Sequence, residues 1–331
     1  MKQQRSIITA GLILLLSACA QDDRQEPDSP AGIIHFTAVA GALETKSTGN
    51  PLADEANVTV HAWNSTLSEE SASPVLSNNY TVQNNSSAGD NTLKEKDAPM
   101  QVQTGVTYYF YALSTNSATE AVPVLNGSYR TTALKNGVDY LIAVPTSGFS
   151  SSGSKVTVPL SFRHLATQIK LTVKPATEDG YLSAAGLSVS IADTDPTGSF
   201  IELLSGGSIP GGIPGDFPNG QKLAATKNET EFTVSFIVLP IFESTRGIPL
   251  KLEFTNLSFE TDQTIASKSY TASILPKAEE SSLTLQGGYS YEYEVTIRRY
   301  SASFSLPKVE PWELYGVDMD KMEEVIEVDP K

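Results

Sequence analysis

The chain has 331 residues, of which 40% are hydrophobic, and this globular proportion excludes a chain that is disordered throughout. Its 38 acidic and 23 basic residues give a net charge of −15, which repels a phosphate backbone and excludes nucleic acid as a partner. Three His and one Cys supply few of the ligands from which zinc and iron–sulfur sites are built, so we expect no metal and no cofactor.

The first 18 residues carry the pattern of an export signal. Lys2 and Arg5 precede an apolar run at residues 7–16, which is shorter than the ~20 residues that a membrane-spanning helix needs. The run ends in Leu16-Ser17-Ala18-Cys19, which resembles the bacterial lipobox. This resemblance implies cleavage before Cys19 and a covalent lipid on its sulfur. The alternative is an ordinary secretory signal with an incidental Cys.

Residues 19–32 consist of the Cys and a hydrophilic tether that follows it. Acidic residues, Pro and Gly without apolar periodicity are typical of a solvated linker. The run Gln21-Asp22-Asp23 resembles the acidic export signal of surface lipoproteins of Bacteroidetes, although any hydrophilic spacer can have this composition. We therefore expect a protein that is anchored in the outer membrane by its lipid and exposed at the cell surface.

Short β-type segments follow one another through the rest of the chain, separated by clusters of Gly, Asn, Pro and Ser. This pattern predicts an all-β fold of the sandwich type, and the lack of a long 3.6-residue period argues against alternating strands and helices. The predicted strands lie at residues 33–39, 58–63, 106–113, 140–144, 156–162, 168–173, 187–191, 232–239, 250–254 and 289–297.

A Ser- and Gly-rich stretch at residues 146–154 indicates a linker or an exposed loop. We place a domain boundary near residue 155 on this basis. Residues 33–155 then form an N-terminal sandwich, and residues 156–331 form a C-terminal sandwich with a tail. Each part is long enough to bury a core of its own.

The C-terminal tail has two interpretations. Asp318, Met319, Met322 and Ile326 follow the spacing of a capped helical turn. Residues 325–328, with the sequence Val-Ile-Glu-Val, could equally form a strand.

The sequence contains no pattern that indicates an active site, and we expect no enzymatic activity. His35, His61 and His164 each stand alone among β-type residues, where a His is far more often structural than a base or a ligand. Residues 193–198 begin like a calcium loop, but Leu204 stands where the bidentate Glu is needed, so a turn is the better interpretation.

Several segments together resemble the fimbrillin-like lipoproteins of Bacteroidales, the subunits of type V pili. The strongest is residues 158–170, in which Phe162-Arg163-His164-Leu165 stands between two strands. The resemblance spans nearly the whole chain in the order of the family. The other matching segments are residues 108–112, 139–143, 238–240, 287–291 and 311–312.

The resemblance implies two tandem transthyretin-like, Greek-key β-sandwich domains and assembly by strand exchange. In shaft subunits of the family a protease removes an early strand, often after an Arg, and a strand of the neighbouring subunit fills the groove. In this chain Lys46 stands where that Arg is common, which puts Arg-specific maturation in question. The matching strand alternates apolar residues at Ile34, Phe36, Ala38 and Ala40. The alternative is a strand that stays permanently in the core.

Two functions are compatible with these features. The first is a structural or adhesive pilus subunit (shaft, anchor or accessory) that binds other subunits by strand addition, the outer membrane through its lipid, and a host or bacterial receptor. Residues 325–328 are a candidate donor strand. The second is a glycan-binding lipoprotein of an outer-membrane uptake system, with Trp63 and Trp312 as an aromatic platform. Tyr289, Tyr291 and Tyr293 could join that platform, although such alternating tyrosines are more often a packed sheet face.

Overall fold

The structure is a computed structural model that describes residues 31–40, 52–83, 91–127, 129–152, 155–195, 199–216, 220–276 and 280–312. Its described residues form strands and one short 3₁₀ turn, Leu204–Gly206, with no α-helix among them. The predicted all-β fold is therefore confirmed. The predicted signal peptide, Cys19, the predicted tether up to residue 30, Lys46 and the tail after Trp312 lie outside the described residues.

Among the described residues, nine strands form the sheet of the N-terminal domain. They are β1 (Ala31–Ala40), β2 (Asn57–Trp63), β3 (Leu76–Gln83), β4 (Asn91–Glu95), β5 (Met100–Gln103), β6 (Thr107–Ser114), β7 (Leu141–Ala143), β8 (Phe149–Ser150) and β9 (Val156–His164). They pair in the order β2-β3-β4-β1-β9-β7-β6, and β6 pairs again with β2, so this sheet closes on itself. Strand β5 adds to β1, and β8 adds to β6.

The inner face of the closed sheet holds the first hydrophobic core. Val58, Val60 and Ala62 of β2 are fully buried there, whereas Asn57 and Thr59 alternate with them on the outer face. This alternation is the two-residue period of a strand with one face in the core.

In the part of the C-terminal domain that the structure describes there are twelve further strands. They are β10 (Thr167–Pro175), β11 (Gly186–Ile191), β12 (Gln221–Ala224), β13 (Thr226–Asn228), β14 (Glu231–Val238), β15 (Ile241–Ser244), β16 (Ile248–Glu260), β17 (Gln263–Ile274), β18 (Leu283–Leu285), β19 (Tyr289–Ile297), β20 (Ala302–Phe304) and β21 (Lys308–Pro311). One sheet has the order β13-β14-β10-β19-β20, with β21 on β19, and the second has the order β12-β11-β16-β17. The two sheets share one core, which contains Phe232, Phe254 and Tyr293, and β15 pairs with β18 beside it.

The change from one domain to the next comes later than residue 155. Strand β9 pairs with β1 and β7, so residues 156–164 complete the N-terminal sheet rather than begin the C-terminal one. The chain enters the second domain between His164 and Thr167, where β10 begins. The Ser- and Gly-rich stretch instead contains β8 and lies within the first domain. Composition indicates a connection, but only strand pairing shows which sheet the next strand joins.

A further hydrophobic cluster lies where the two domains meet. Trp63 and Ile142 of the first sheet pack there with Leu165, Ile201 and Leu239. The Trp63 indole N–H donates to the carbonyl of Ala72 at 2.9 Å, so the polar atom of this buried ring is paired. The junction is therefore a packed interface and not a free linker.

The same local turn precedes three strands of the structure. In each turn a backbone N–H donates to the hydroxyl of a Tyr five residues later, and the Gly two residues after the donor has a positive φ, which a side chain would strain. Such tyrosine corners are known from other β-sandwiches. The donor, glycine and tyrosine are Gln103, Gly105 and Tyr108; Lys135, Gly137 and Tyr140; and Gln286, Gly288 and Tyr291.

We expect Tyr291→Phe to lower the free energy of unfolding by about 1–3 kcal/mol, because the Gln286 N–H would lose its acceptor, now 2.8 Å away, next to a buried ring. Tyr289→Phe is the matched control: its ring lies on the same face of β19 and its hydroxyl makes no hydrogen bond to a described residue. Urea denaturation of both variants measures the difference. Equal stabilities would contradict a structural role for the corner.

Candidate functional site

Strand β1 lies in the middle of the N-terminal sheet. We call its position, between β9 on one side and β4 and β5 on the other, the seat of β1. It runs parallel to β9, from Ile34 opposite Val156 to Ala40 opposite Phe162. On its other side it is antiparallel to two shorter strands, β5 along its first half and β4 along its second half. Both edges of the strand are therefore hydrogen-bonded, although β1 comes first in the sheet by sequence.

The inward side chains of β1 fill the first core. Ile34, Phe36 and Ala38 are each no more than 1% exposed. The ring of Phe36 makes edge-to-face contacts with Tyr80 at 5.5 Å and with Phe110 at 5.2 Å between centroids. Ala40 lies in the same strand. The four residues singled out in the sequence thus share one strand, and their exchange between subunits stays a prediction.

The outward face of β1 is mixed, with Ile33 exposed and His35 and Thr37 partly buried. The His35 Nδ1 is 3.2 Å from the Glu95 carboxylate. Gly32 is buried, and a Cβ at this position would collide with the side chain of Ser151. A strand that occupies this seat therefore needs a small residue near its start as well as alternating apolar residues.

An empty seat would be unstable for two physical reasons. The inner core would lose the large side chain of Phe36 and the smaller ones beside it, and truncation of a buried Phe alone costs about 3–5 kcal/mol. The backbone groups of β9 and of β4 and β5 that now pair with β1 would also lose their partners. The site can therefore hold an extended strand, and it requires one.

Two of the histidines are buried, in different surroundings. The His61 Nδ1 lies 2.8 Å from the Ser77 hydroxyl, and burial lowers the pKa of His61 to about 4, so the ring is neutral near pH 7. The His164 Nδ1 lies 2.6 Å from the Asp139 carboxylate, which also accepts a hydrogen bond from Asn116 at 2.8 Å.

The His164 ring also contacts the end of the described chain. The Trp312 indole stacks on it at 3.9 Å between centroids and 7° between planes. The Nε2 of His164 has no hydrogen-bond partner among the described residues. His164 therefore joins the end of β9 to Asp139, just before β7, through its Nδ1 and to the segment after β21 through the stacked Trp312.

The aromatic platform considered in the sequence is not formed by these residues. Trp63 is buried at the domain junction, and Trp312 covers His164. Tyr291 and Tyr293 are buried in the C-terminal core. A sequence shows that aromatic residues alternate along a strand, but not which face of that strand is covered.

The described residues form neither a metal site nor a membrane-spanning helix. The part of the chain that the structure describes holds no cluster of three His, Cys, Asp or Glu suited to a metal ion. None of the described residues belongs to a helix that could cross a membrane.

The burial of His61 has a consequence for stability against pH. Because its pKa is about 4 in the folded chain and about 6.5 when unfolded, the unfolded state binds the extra proton between these values. We expect the uncharged His61 to contribute up to about 3 kcal/mol to the free energy of unfolding above pH 6.5, and we expect this contribution to be lost as the pH falls to 4. Urea denaturation of the wild type and His61→Gln between pH 4 and 7.5 tests this. A difference that is constant with pH would contradict it.

Comparison with known proteins gives this fold a family. The chain matches the family model described as fimbrillin-like over residues 45–312. Among solved structures it is similar to candidate cell adhesion proteins from three Bacteroides species, and each match covers 98% of the other chain. The protein from Bacteroides uniformis is 16% identical with a TM-score of 0.54, and the match covers 85% of this chain. The protein from Bacteroides ovatus is 14% identical with a TM-score of 0.56 and a coverage of 86% of this chain. The protein from Bacteroides fragilis is 18% identical with a TM-score of 0.54 and a coverage of 84% of this chain.

A comparison with curated proteins finds no match. At identities below 20% the solved structures show the fold alone. The family model carries more weight, because it extends from the connection after β1 to the stack of Trp312 on His164. The chain therefore belongs to the fimbrillin-like family.

Proposed function

We propose that this protein is a subunit of a surface fimbria and that it joins its neighbours by strand exchange at the seat of β1. The observation that carries the proposal is the position of β1. It is the first strand among the described residues, it is hydrogen-bonded on both edges, and its side chains complete the core. Family membership supports the fimbrial setting.

The connectivity of β1 favours exchange over a fixed structural role. Towards the C-terminus, the chain continues from β1 only through residues 41–51, which include Lys46. Cleavage there would leave β1 held in its seat by non-covalent contacts alone. Once β1 dissociated, no covalent link would keep it near the seat, so its effective concentration there would fall. A neighbouring subunit could then supply a strand with the same alternation, by β-augmentation.

Whether the chain is cut at Lys46 decides which place the subunit can take in the fimbria. If the chain is cut there, the seat opens and the subunit can take a place in the shaft. If Lys46 is not cut, β1 stays in place and the subunit acts as an anchor or accessory subunit. Residues 325–328 are a candidate for the strand that this subunit donates to another.

Lipid on Cys19 would fix the first position of such an assembly. Several acyl chains on one residue hold a protein stably, since each buried methylene contributes ~0.8 kcal/mol. The hydrophilic residues that follow Cys19 would place the sandwich outside the membrane. The lipid and the exposed location belong to this proposal.

Strand exchange can be tested by releasing β1 on demand. Residues 44–48 are replaced by the site of a specific protease, and the mature chain is cut and incubated. We expect oligomers that survive unheated SDS gels, and we expect a synthetic peptide of residues 31–40 to block them by refilling the seat. The same peptide with Phe36→Ala should be weaker by roughly 100-fold or more, because about 3–5 kcal/mol of packing is lost.

The matched control carries the same protease site between Pro276 and Glu280, which connects β17 to β18 and leaves β1 attached. Cutting there should produce no oligomers. Exchange would be ruled out if the chain cut at residues 44–48 loses β1 and still stays monomeric.

Lipid attachment has a separate test. We expect Cys19→Ser to move the protein from the detergent phase to the aqueous phase on phase partitioning, because the thioether needs the sulfur atom. Ser29→Ala in the tether should leave the partition unchanged. Mass spectrometry of the N-terminal peptide identifies the lipid directly, and an unmodified Cys19 in the wild type would disprove the anchor.

A further inference from the structure

A cleft of about 510 Å³ lies on the outer face of the β2–β3 hairpin, away from the seat of β1. Its floor is the outer face of the two strands, and one wall is the segment at residues 121–125 that follows β6. This volume is within the range of roughly 300–1,000 Å³ that is usual for small-molecule sites. The proposed fimbrial function makes no use of it.

The floor is a ladder of polar side chains. Thr59 stands opposite Asn79, and His61 stands opposite Ser77, across the two strands. The Thr59 hydroxyl donates to the Asn79 side-chain carbonyl at 2.8 Å, which fixes the orientation of the amide. The Asn79 amide nitrogen has no partner among the described residues and is exposed, so two oriented donors are free at the cleft.

His61 adds an unsatisfied group to the same floor. Its ring is 6% exposed, its Nδ1 is paired with Ser77, and its Nε2 is buried without a hydrogen-bond partner among the described residues. Which nitrogen carries the proton depends on whether Ser77 donates or accepts. Because Nε2 has almost no exposed surface, His61 closes the floor of the cleft, and Asn79 presents the free polar atoms to a ligand.

The wall opposite the ladder is apolar. Val122 and Pro123 are partly buried, and Val124 is 65% exposed at the rim. A pyranose ring has the matching shape, with hydroxyl groups around its edge and C–H groups on its face. The ladder can bind the edge while the wall covers the face.

The charge of the lining favours a neutral ligand. None of the described residues that line the cleft is acidic, and His61 is uncharged near pH 7. The one cation is Lys96, which already donates to the Asn57 side-chain carbonyl at 2.6 Å. An anionic ligand would find a single, shared ammonium group.

An extended peptide fits this position poorly. Strand β2 is paired on both sides, with β3 and β6, whereas β3 is paired with β2 along the floor and with β4 only over residues 80–83. The floor is therefore a face of side chains with no open edge on β2, whereas sheets usually bind peptides by main-chain pairing at a strand edge.

We propose that this cleft is a binding site for a neutral carbohydrate, whose hydroxyl groups bind Asn79 and the polar ladder and whose ring face packs on Val122 and Val124. The site gives the subunit an adhesive contact that is independent of strand exchange. It lies on the outside of the closed N-terminal sheet, so a strand exchanged at β1 would not displace the sugar.

The test uses ligand-observed saturation-transfer NMR on the full mature chain. The probes are the methyl glycosides of glucose, galactose, mannose, fucose and N-acetylglucosamine, with N-acetylneuraminic acid as the anionic comparison. We expect transfer to at least one neutral glycoside. Asn79→Ala should raise the Kd for that sugar roughly fivefold, as for the loss of one hydrogen bond, and Val124→Glu should abolish binding.

Asn228→Ala, on the exposed β13–β14 turn, is the matched control and should bind as the wild type does. Thr59→Val is a second test variant, because it removes only the hydroxyl that orients the Asn79 amide. It should also raise the Kd for the sugar. The proposal is overturned if no neutral glycoside shows transfer, if N-acetylneuraminic acid binds more tightly than all of them, or if Asn79→Ala and Val124→Glu bind like the wild type.

Discussion

Backbone hydrogen bonds join β1 to β9 in parallel, and on the other edge β1 is bonded to β4 and β5. A parallel pair needs a long connection, and here the connection is the rest of the N-terminal domain. The strand that begins the sheet in sequence is therefore placed at its centre by strands that come later. The domain depends on an occupied seat, because both a hydrophobic face and rows of backbone groups converge on it. This dependence makes exchange of the occupant physically reasonable.

The C-terminal domain repeats this arrangement with a different connectivity. Strand β19 is parallel to β10 on one edge, and two short strands, β20 and β21, share its other edge. A tyrosine corner leads into β19, and a tight turn connects it to β20, so the chain continues on both sides of the strand. By contrast, β1 is joined to the other described strands only through residues 41–51. The proposed exchange thus rests on chain connectivity and not on the pairing pattern itself.

The two proposed activities use different faces of the same sheet. The inner face binds a strand by packing Phe36 and its neighbours, whereas the outer face of β2 and β3 carries the polar ladder beside Val122 and Val124. Alternation along a strand separates the two, because successive side chains point to opposite sides. A fimbrial subunit can in this way be held by its neighbours and still present a contact surface.

The sequence by itself determined the all-β class, the family resemblance and the alternation at Ile34, Phe36 and Ala38, because these depend on local periodicity and on motifs. It also contains the Gly-x-x-Tyr pattern of the corners, but the pattern alone does not show that the Tyr hydroxyl accepts a backbone hydrogen bond. The tertiary structure decided what depends on distant pairing. It placed β9 in the first domain rather than the second, buried Trp63 at the junction and brought Trp312 onto His164. Such contacts join residues up to about 150 positions apart, and no local pattern encodes which strand will be the neighbour.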